Sequence, residues 1–284
     1  MPKSTPPSAS ASGCALFFDI DGTLISLTTH RMPTSALRAL RRARQLGCRL
    51  FIASGRPLPW IATPALSPLL PLVDGIIALN GALAVVEGLP DYSLPMDPSQ
   101  VQLLLDDARR CGYPCIVVGR NRIAIFGEQP FVRTLFEPLL QLGHVDMPAF
   151  SDQMLHDEPI LQVSPFFTLE QERAVMPLLS RLVCCRWHPA FADVTAHGAT
   201  KGEALRSLVR QLSLNPRRTV AFGDGANDIS MFRAAAVGVA MGGAAAEVQQ
   251  QARIVAPPLE EDGLAHVLDQ LLFSGDFPEL LAQE

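Results

Sequence analysis

Two buried-strand patterns in this chain run directly into acidic clusters, and this repetition limits the possible fold more than any other feature. The first is FFDIDGT at 17–23, and the second is VAFGDGAND at 220–228. Carboxylates at the end of a buried strand repel each other and lose hydration unless a cation or ligand is bound nearby. Because the carboxyl ends of parallel strands meet at one edge of a sheet, the two clusters are expected to share a divalent metal ion.

Strand and helix patterns alternate at both ends of the chain. A strand at 14–18 is followed by a helix that opens at Pro33 and ends at Gly47, and a second strand follows at 49–53. Such a βαβ unit has a right-handed crossover and builds a parallel sheet. A third strand is predicted at 76–79, and helix and strand patterns alternate again after Lys201. The fold class predicted is α/β, with a doubly wound, Rossmann-like parallel sheet.

The segment from 82 to 188 has a different order of strand and helix patterns. A predicted hairpin joins strand-like runs at 115–118 and 123–126, and further strand-like runs lie near 160–167 and 184–194. Helical patterns separate them at 99–110, 131–142 and 169–183. This is an α+β pattern with antiparallel pairing. We therefore predict a flexible tail at 1–13, a core built from 14–81 and 189–284, and an inserted α+β domain at 82–188.

Composition argues against several classes of protein. The net charge of the 284-residue chain is −5 without any basic run, which disfavours nucleic acid as a partner. The longest uncharged apolar stretch, 57–73, is interrupted by five prolines, and 1–13 lacks the apolar core of a secretory signal. The six cysteines show neither zinc-site spacing nor a disulfide framework. We expect a cytoplasmic protein, a monomer or small homo-oligomer, that binds neither nucleic acid nor membranes.

Four motifs, in this order, resemble those of the haloacid dehalogenase superfamily of phosphohydrolases, and within it the Cof-type branch, subfamily IIB. They are DIDGT at 19–23, ASGR at 53–56, Lys201 in TKGEAL, and GDGANDISM at 223–231. Each motif alone is weak or moderate evidence, whereas four in order over nearly the whole chain are specific. The resemblance implies a doubly wound core with an inserted cap that closes over the site and recognises the leaving group.

The resemblance also implies how the acidic residues act. Asp19 would attack phosphorus and become an aspartyl phosphate, while Asp21 would protonate the leaving oxygen and later deprotonate water. Mg²⁺ would be held by the Asp19 carboxylate, the Asp21 backbone carbonyl and Asp224. Lys201 would steady Asp19 and the phosphoryl group, and Asp228 would lie in the outer shell of the metal.

Three further residues of the motifs are candidate substrate ligands. The Ser54 hydroxyl and the Gly55 amide can donate hydrogen bonds to phosphate oxygens, although a Ser-Gly pair after a strand is more often a turn or a helix cap. Asn227 is a candidate for a hydrogen bond to substrate, with helix capping as its alternative role.

The inserted segment identifies the leaving group poorly. Arg120 and Arg122, in the predicted hairpin, could meet an anionic substrate, but exposed arginines in turns are more often solvated. Trp187 is better explained by hinge packing than by substrate contact, and the role of Asp193 stays open.

These observations predict a Mg²⁺-dependent phosphatase acting through an aspartyl phosphate on a small phosphorylated metabolite, such as a sugar phosphate or a phosphorylated cofactor. The nearest alternative is a phosphosugar mutase, which would use the same aspartyl phosphate. A non-catalytic binding protein is less compatible with the sequence, because Asp19, Asp21, Lys201 and Asp224 are all present.

Overall fold

The computed structural model describes residues 13–139 and 147–273. All but the last residue of the predicted tail lies outside these ranges, as do the end of the helix predicted at 131–142 and the last residues of the predicted core.

Thirteen β-strands in the described part of the chain form two sheets. In chain order they are β1 (Ala15–Phe18), β2 (Arg49–Ala53), β3 (Gly75–Ala78), β4 (Leu83–Val85), β5 (Tyr92–Ser93), β6 (Cys115–Gly119), β7 (Ile123–Phe126), β8 (Ile160–Pro165), β9 (Leu182–His188), β10 (Phe191–Ala196), β11 (Thr219–Gly223), β12 (Val237–Ala240) and β13 (Ile254–Val255). The large sheet has the order β13-β12-β11-β1-β2-β3-β4-β5 and the smaller sheet β7-β6-β8-β10-β9. The large sheet is parallel from β13 to β3, with β4 and β5 antiparallel at its edge, and the smaller sheet is antiparallel.

Nine α-helices accompany these strands in the described residues. They are α1 (Thr34–Gln45), α2 (Pro98–Cys111), α3 (Pro130–Leu139), α4 (Gln153–Asp157), α5 (Leu169–Val175), α6 (Lys201–Gln211), α7 (Ile229–Ala234), α8 (Ala246–Gln249) and α9 (Gly263–Phe273).

Both faces of the large sheet are covered, because successive side chains of a strand point to opposite faces. Leu16 and Phe18 of β1 belong to the apolar cluster that includes α1 and α9. Ala15 and Phe17 of the same strand belong to the cluster that includes α6 and α7. The predicted doubly wound α/β core is thus confirmed, and its central strands are apolar on both sides.

Sheet membership differs from the predicted division at both boundaries. β4 and β5 lie inside the predicted insert but pair with β3 at the edge of the large sheet. β10 was assigned to the core, yet it pairs with β8 and β9 in the smaller sheet. Local sequence shows that a strand exists, whereas the strand with which it pairs decides which sheet it joins. The chain leaves the smaller sheet only after Ala196.

The helix predicted at 169–183 and the strand predicted at 184–194 were each too long. The helix α5 ends at Val175, and a 3₁₀ turn at Met176–Leu178 separates it from β9. Pro177 lies in that turn, where its missing amide hydrogen prevents the α-helix from continuing. The predicted strand is a hairpin, with Pro189 and Ala190 between β9 and β10.

Candidate active site

The two acidic clusters lie side by side because β1 and β11 are parallel neighbours in the large sheet. Asp19 follows β1 and donates its backbone amide to the carbonyl oxygen of Phe222 at 3.0 Å. Asp224 follows β11, and Asp228 lies one turn further on. Asp19, Asp224 and Asp228 each offer a carboxylate oxygen within 4.8 Å of the others.

Lys201 is the buried cation of this cluster. It is the first residue of α6, and its side chain is completely buried. Its Nζ donates to Asp19 Oδ1 at 2.5 Å and to Asp228 Oδ1 at 2.6 Å. Burial lowers the pKa of Lys201, but attraction and hydrogen bonding from the two carboxylates outweigh it, so the pKa is raised. Lys201 is therefore a permanent positive charge beside the Asp19 carboxylate.

One ammonium group does not neutralise the surrounding carboxylates. Burial raises the pKa of Asp19 well above its usual value, and repulsion from Asp228, Asp224 and Asp21 adds to this, against the attraction of Lys201. Burial, followed by repulsion from Asp228, raises the pKa of Asp224 to about 7. The site is thus electrostatically short of positive charge.

This donor set fits a hard divalent cation. Carboxylate oxygens that line a cavity and carry an excess of negative charge are the ligands that Mg²⁺ prefers. Asp19 and Asp224 are placed to hold such an ion with their side chains. The Asp228 carboxylate is already bonded on both oxygens, since its Oδ2 accepts from the amides of Asp224 and Gly225 at 2.9 Å each. That arrangement agrees with an outer-shell position for Asp228.

Gly22 and Thr23 position the Asp224 carboxylate, and sequence reasoning gave neither a role. Gly22 has φ +86°, and a Cβ added there would lie 2.2 Å from Asp224 Oδ2. Any side chain at position 22 would collide with the Asp224 carboxylate, so this position requires glycine. The buried Thr23 hydroxyl donates to Asp224 Oδ1 at 3.0 Å. Both residues belong to the DIDGT motif, which was the signal available in the sequence.

Arg56 is a further residue that sequence reasoning missed, although it ends the ASGR motif. Its Nε donates to Asp21 Oδ2 at 2.9 Å and its Nη2 to Asp21 Oδ1 at 2.6 Å. This bidentate pair holds the Asp21 side chain on both oxygens. In this conformation the Asp21 carboxylate is therefore paired with Arg56 and does not belong to the cluster formed by Asp19, Asp224 and Asp228.

A cavity of about 330 Å³ connects these residues to the smaller sheet. Asp19, Asp21, Asp224, Ser54, Gly55 and Asn227, all predicted site residues, line it, whereas Lys201 lies behind Asp19. The Ser54 hydroxyl oxygen accepts from the Arg56 amide at 3.1 Å, and within the described residues its hydrogen has no acceptor, so it can bond a ligand.

Asn80 links the loop that carries Asn227 to the smaller sheet and was missed as a site residue. Its backbone is left-handed, with φ +54°, and it lines the cavity. Its Oδ1 accepts from Asn227 Nδ2 at 2.9 Å, and its Nδ2 donates to Asp193 Oδ2 at 3.3 Å. A non-glycine residue in this conformation is uncommon, and Asn tolerates it better than most.

The two arginines of the β6–β7 hairpin do not line the cavity. Arg120 pairs with Asp91, and Arg122 pairs with Asp157 and Glu158. Trp187 does line it, as part of β9 in the smaller sheet and not in a hinge. None of the helices in the described ranges combines the length and the apolar character needed to cross a bilayer.

Comparisons with known proteins agree with this geometry. The family pattern of haloacid dehalogenase-like hydrolases matches residues 16–268. YkrA of Bacillus subtilis (strain 168) is 31% identical over 259 residues, covering 90% of this chain and 96% of YkrA. Its name gives phosphatase as a provisional assignment. The pyridoxal phosphate phosphatase YbhA of Escherichia coli (strain K12) is 30% identical over 276 residues, covering 88% and 95% of the two chains.

Solved structures show the same architecture. The subclass IIB sugar phosphatase BT4131 of the haloacid dehalogenase superfamily superposes with a TM-score of 0.82 and 38% identity, covering 91% of this chain and 98% of its own. The phosphatase BT1666 from Bacteroides thetaiotaomicron gives a TM-score of 0.80 and 29% identity, with coverages of 95% and 98%. The smaller sheet of this chain is accordingly the cap of a subclass IIB fold.

Proposed function

Because the chain belongs to the haloacid dehalogenase-like hydrolase family and has the fold of its IIB phosphatases, we propose that it is a Mg²⁺-dependent phosphatase of a small phosphorylated metabolite. The observation that carries the proposal is the buried Lys201, which donates to Asp19 and Asp228 while Asp224 lies within reach of a shared cation. Such a cluster is costly to bury unless it binds and transfers a charged group.

In the proposed reaction, Asp19 acts as the nucleophile through the oxygen that Lys201 does not hold. A bond forms from this oxygen to phosphorus as the bond from phosphorus to the leaving oxygen breaks, and Asp21 gives its proton to that oxygen. Asp21 then takes a proton from the water that attacks the aspartyl phosphate, which releases phosphate and restores Asp19. To reach the substrate, the Asp21 side chain must break at least one of its two hydrogen bonds to Arg56.

The remaining residues bind and shield the phosphoryl group. Ser54 and Gly55 are proposed to donate to its oxygens, as is Asn227 after it exchanges its bond to Asn80. A Mg²⁺ ion bound by Asp19, Asp224 and the Asp21 backbone carbonyl would supply the positive charge that lets an anionic nucleophile approach an anionic ester. The cap excludes bulk water from the cavity.

A small ester is favoured as substrate by the size of the cavity, and a sugar phosphate is the class we favour. BT4131 is a sugar phosphatase and YbhA a pyridoxal phosphate phosphatase, which supports a substrate of this size. We also propose a cytoplasmic location, which is compatible with six cysteines that form no disulfide.

The substitution Asp19→Asn tests the mechanism with p-nitrophenyl phosphate and Mg²⁺. We expect p-nitrophenol release to fall by at least about a thousandfold, because the amide cannot attack phosphorus. The protein should stay folded, since the change removes a repelled, buried charge. Asp106→Asn, on the exposed surface of α2, is the matched control and should keep full activity. Near-normal turnover by Asp19→Asn would show that another residue is the nucleophile.

A further inference from the structure

Asn80 contacts three parts of the candidate active site, although it belongs to none of the four sequence motifs. The residue is 7% exposed and lines the cavity. Its backbone amide donates to the carbonyl oxygen of Ser54 at 3.1 Å, and its side chain lies against Gly55, where an added Cβ would be 3.0 Å from Asn80 Oδ1. The side chain also bonds Asn227 of the core and Asp193 of the cap sheet. Asn80 thus connects the two proposed phosphate-binding loops with the cap.

The backbone around Asn80 has an unfavourable conformation. Leu79 and Asn80 both have φ +54°, and Gly81 follows with φ +102°. Residues other than glycine rarely adopt left-handed conformations, least of all bulky ones, because Cβ crowds the following carbonyl oxygen. The Leu79 amide donates to the Arg56 carbonyl oxygen at 3.1 Å, which ties this turn to the loop at 54–56. Strained backbone of this kind is concentrated at functional sites, where the surrounding structure maintains it.

Asp193 fixes the orientation of the Asn80 amide from the cap side. The Oδ2 of this buried carboxylate accepts from Asn80 Nδ2 at 3.3 Å and from Trp187 Nε1 at 2.9 Å. Its Oδ1 accepts from Ser164 Oγ at 2.8 Å. Burial raises the pKa of Asp193 to about 6, against these hydrogen bonds, so the group is mostly ionised at neutral pH and can only accept. Asn80 must therefore turn its Nδ2 towards Asp193.

The orientation of Asn80 in turn determines that of the Asn227 amide. With Nδ2 of Asn80 directed at the cap, its Oδ1 accepts from Asn227 Nδ2 at 2.9 Å. The reverse orientation of the Asn227 amide would bring two oxygens together. The Asn227 oxygen lies instead over Gly225, where an added Cβ would be 2.7 Å from it. Because Asn80 and Asn227 both line the cavity, a donor is in place beside the cavity before a substrate binds.

We propose that Asn80 is a positioning residue for phosphate binding: it holds the Asn227 amide nitrogen ready to donate to a phosphoryl oxygen, and takes its own orientation from Asp193. A phosphoryl group that enters the cavity takes over the hydrogen bond of Asn227 Nδ2 from Asn80 Oδ1, so the donor does not have to be ordered at that moment. The phosphate site is therefore fully formed only while the cap strand that carries Asp193 contacts Asn80. This inference rests on the proposed phosphatase activity and adds a residue that acts through Asn227.

Asn80→Gly tests this role, because it removes the side chain and keeps a left-handed backbone that glycine adopts without strain. With Mg²⁺ and p-nitrophenyl phosphate, we expect kcat/KM to fall about tenfold, because the Asn227 amide must then be ordered on binding. The inhibition constant of inorganic phosphate should rise by about the same factor. Mg²⁺ affinity, measured by calorimetry without phosphate, should be unchanged, since the Asn80 side chain bonds Asn227 and Asp193 instead of the proposed metal ligands.

Ser213→Gly is the matched control. Ser213 also has a left-handed backbone, with φ +51°, but it is exposed and does not line the cavity. This variant makes the same kind of backbone change without touching the site. We expect its kcat/KM and its inhibition by phosphate to equal those of the wild type.

A double-mutant cycle with Asn227→Ala distinguishes positioning from a purely structural role. Asn227→Ala alone should lower kcat/KM about tenfold or more, because a phosphate donor is missing. Adding Asn80→Gly to that variant should cost about twofold at most, since no amide is left to position. Asp193→Asn should lose about threefold, because an amide in place of the carboxylate no longer forces one orientation on Asn80. That loss should also disappear in the Asn227→Ala protein.

Four results would overturn the proposal. They are wild-type kinetics in Asn80→Gly, an equal loss in Ser213→Gly, losses that multiply in the double variant, and unchanged kinetics in Asn227→Ala, which would leave Asn80 no residue through which to act. Any of these with an active wild type refutes this inference alone. If the wild type releases no p-nitrophenol, the phosphatase proposal itself fails and this inference with it.

Discussion

Magnesium affinity should depend on pH through Asp224. Burial and the neighbouring Asp228 raise the pKa of this carboxyl from 3.8 to about 7 in the metal-free protein. A carboxyl group must lose its proton before it can bind a metal ion, so protons compete with Mg²⁺ in the range where Asp224 titrates. Asp19, whose pKa is also raised by burial, adds competition of the same sign.

The size of the effect follows from the fraction of Asp224 that is ionised. With a pKa of about 7, that fraction is about nine-tenths at pH 8 and about one-tenth at pH 6. The dissociation constant for Mg²⁺ should therefore be about tenfold larger at pH 6 than at pH 8, a difference of about 1.4 kcal/mol.

The stability of the metal-free protein should fall as the pH rises, whereas its affinity for Mg²⁺ should increase. The folded-state pKa of Asp224 lies above its unfolded value, so its contribution to stability is fully present below about pH 4 and is lost as pH rises through about 7. A shift of about three units corresponds to a loss of roughly 4 kcal/mol. At pH 8, Mg²⁺ at one hundred times its dissociation constant should restore about 2.7 kcal/mol of the lost stability.

Isothermal titration calorimetry at pH 6, 7 and 8, in buffers of different ionisation enthalpy, measures both the affinity and the protons released. We expect release of about one proton per Mg²⁺ at pH 6 and much less at pH 8. Asp224→Asn should lose both tight binding and this proton release, whereas the exposed Asp106→Asn should behave as the wild type. Equal affinity at pH 6 and pH 8 in the wild-type protein would refute the reasoning.

Two further outcomes are expected. Lys201→Met should lower the free energy of unfolding at pH 8 by about 3–5 kcal/mol in urea denaturation, because it leaves two buried carboxylates without their cation. Adding Asp228→Asn should recover part of that loss, and the absence of any recovery would mean that Lys201 acts through packing alone. With a hexose 1-phosphate as substrate, we expect free phosphate as the product; a hexose 6-phosphate would instead identify a mutase.

The core was predictable because its signals are local. The strand at 15–18 is apolar on both faces and ends in acids, and the parallel pairing of β1 with β2 follows from the βαβ pattern. The helix α1 begins after Pro33, as its sequence predicts, and ends at Gln45, where the chain turns before Gly47. These features depend on hydrophobic period and capping, which neighbouring residues decide.

The sheet boundaries and the pairing of polar side chains were not predictable in the same way. β10 looks like any strand in the sequence, and its place in the cap depends on its register with β9 in a hairpin and with β8, from which 25 residues separate it. Arg56 is the last residue of a recognised motif, but its partner Asp21 lies 35 residues earlier. Contacts over such separations are a property of the folded chain and leave no periodic signal in the sequence.

The sheet boundary found in the structure shows that the cap is connected to the candidate active site by a short piece of chain. β10 carries Asp193 in the cap sheet, and only the residues at 197–200 separate it from Lys201 at the start of α6. Asp193 is also bonded to Asn80, and Asn80 to Asn227 in the loop that carries Asp224. Displacement of the cap strand must therefore stretch a short covalent link or break these hydrogen bonds. The cap strand and the loop that carries Asp224 are thereby joined by one short piece of chain and two hydrogen bonds.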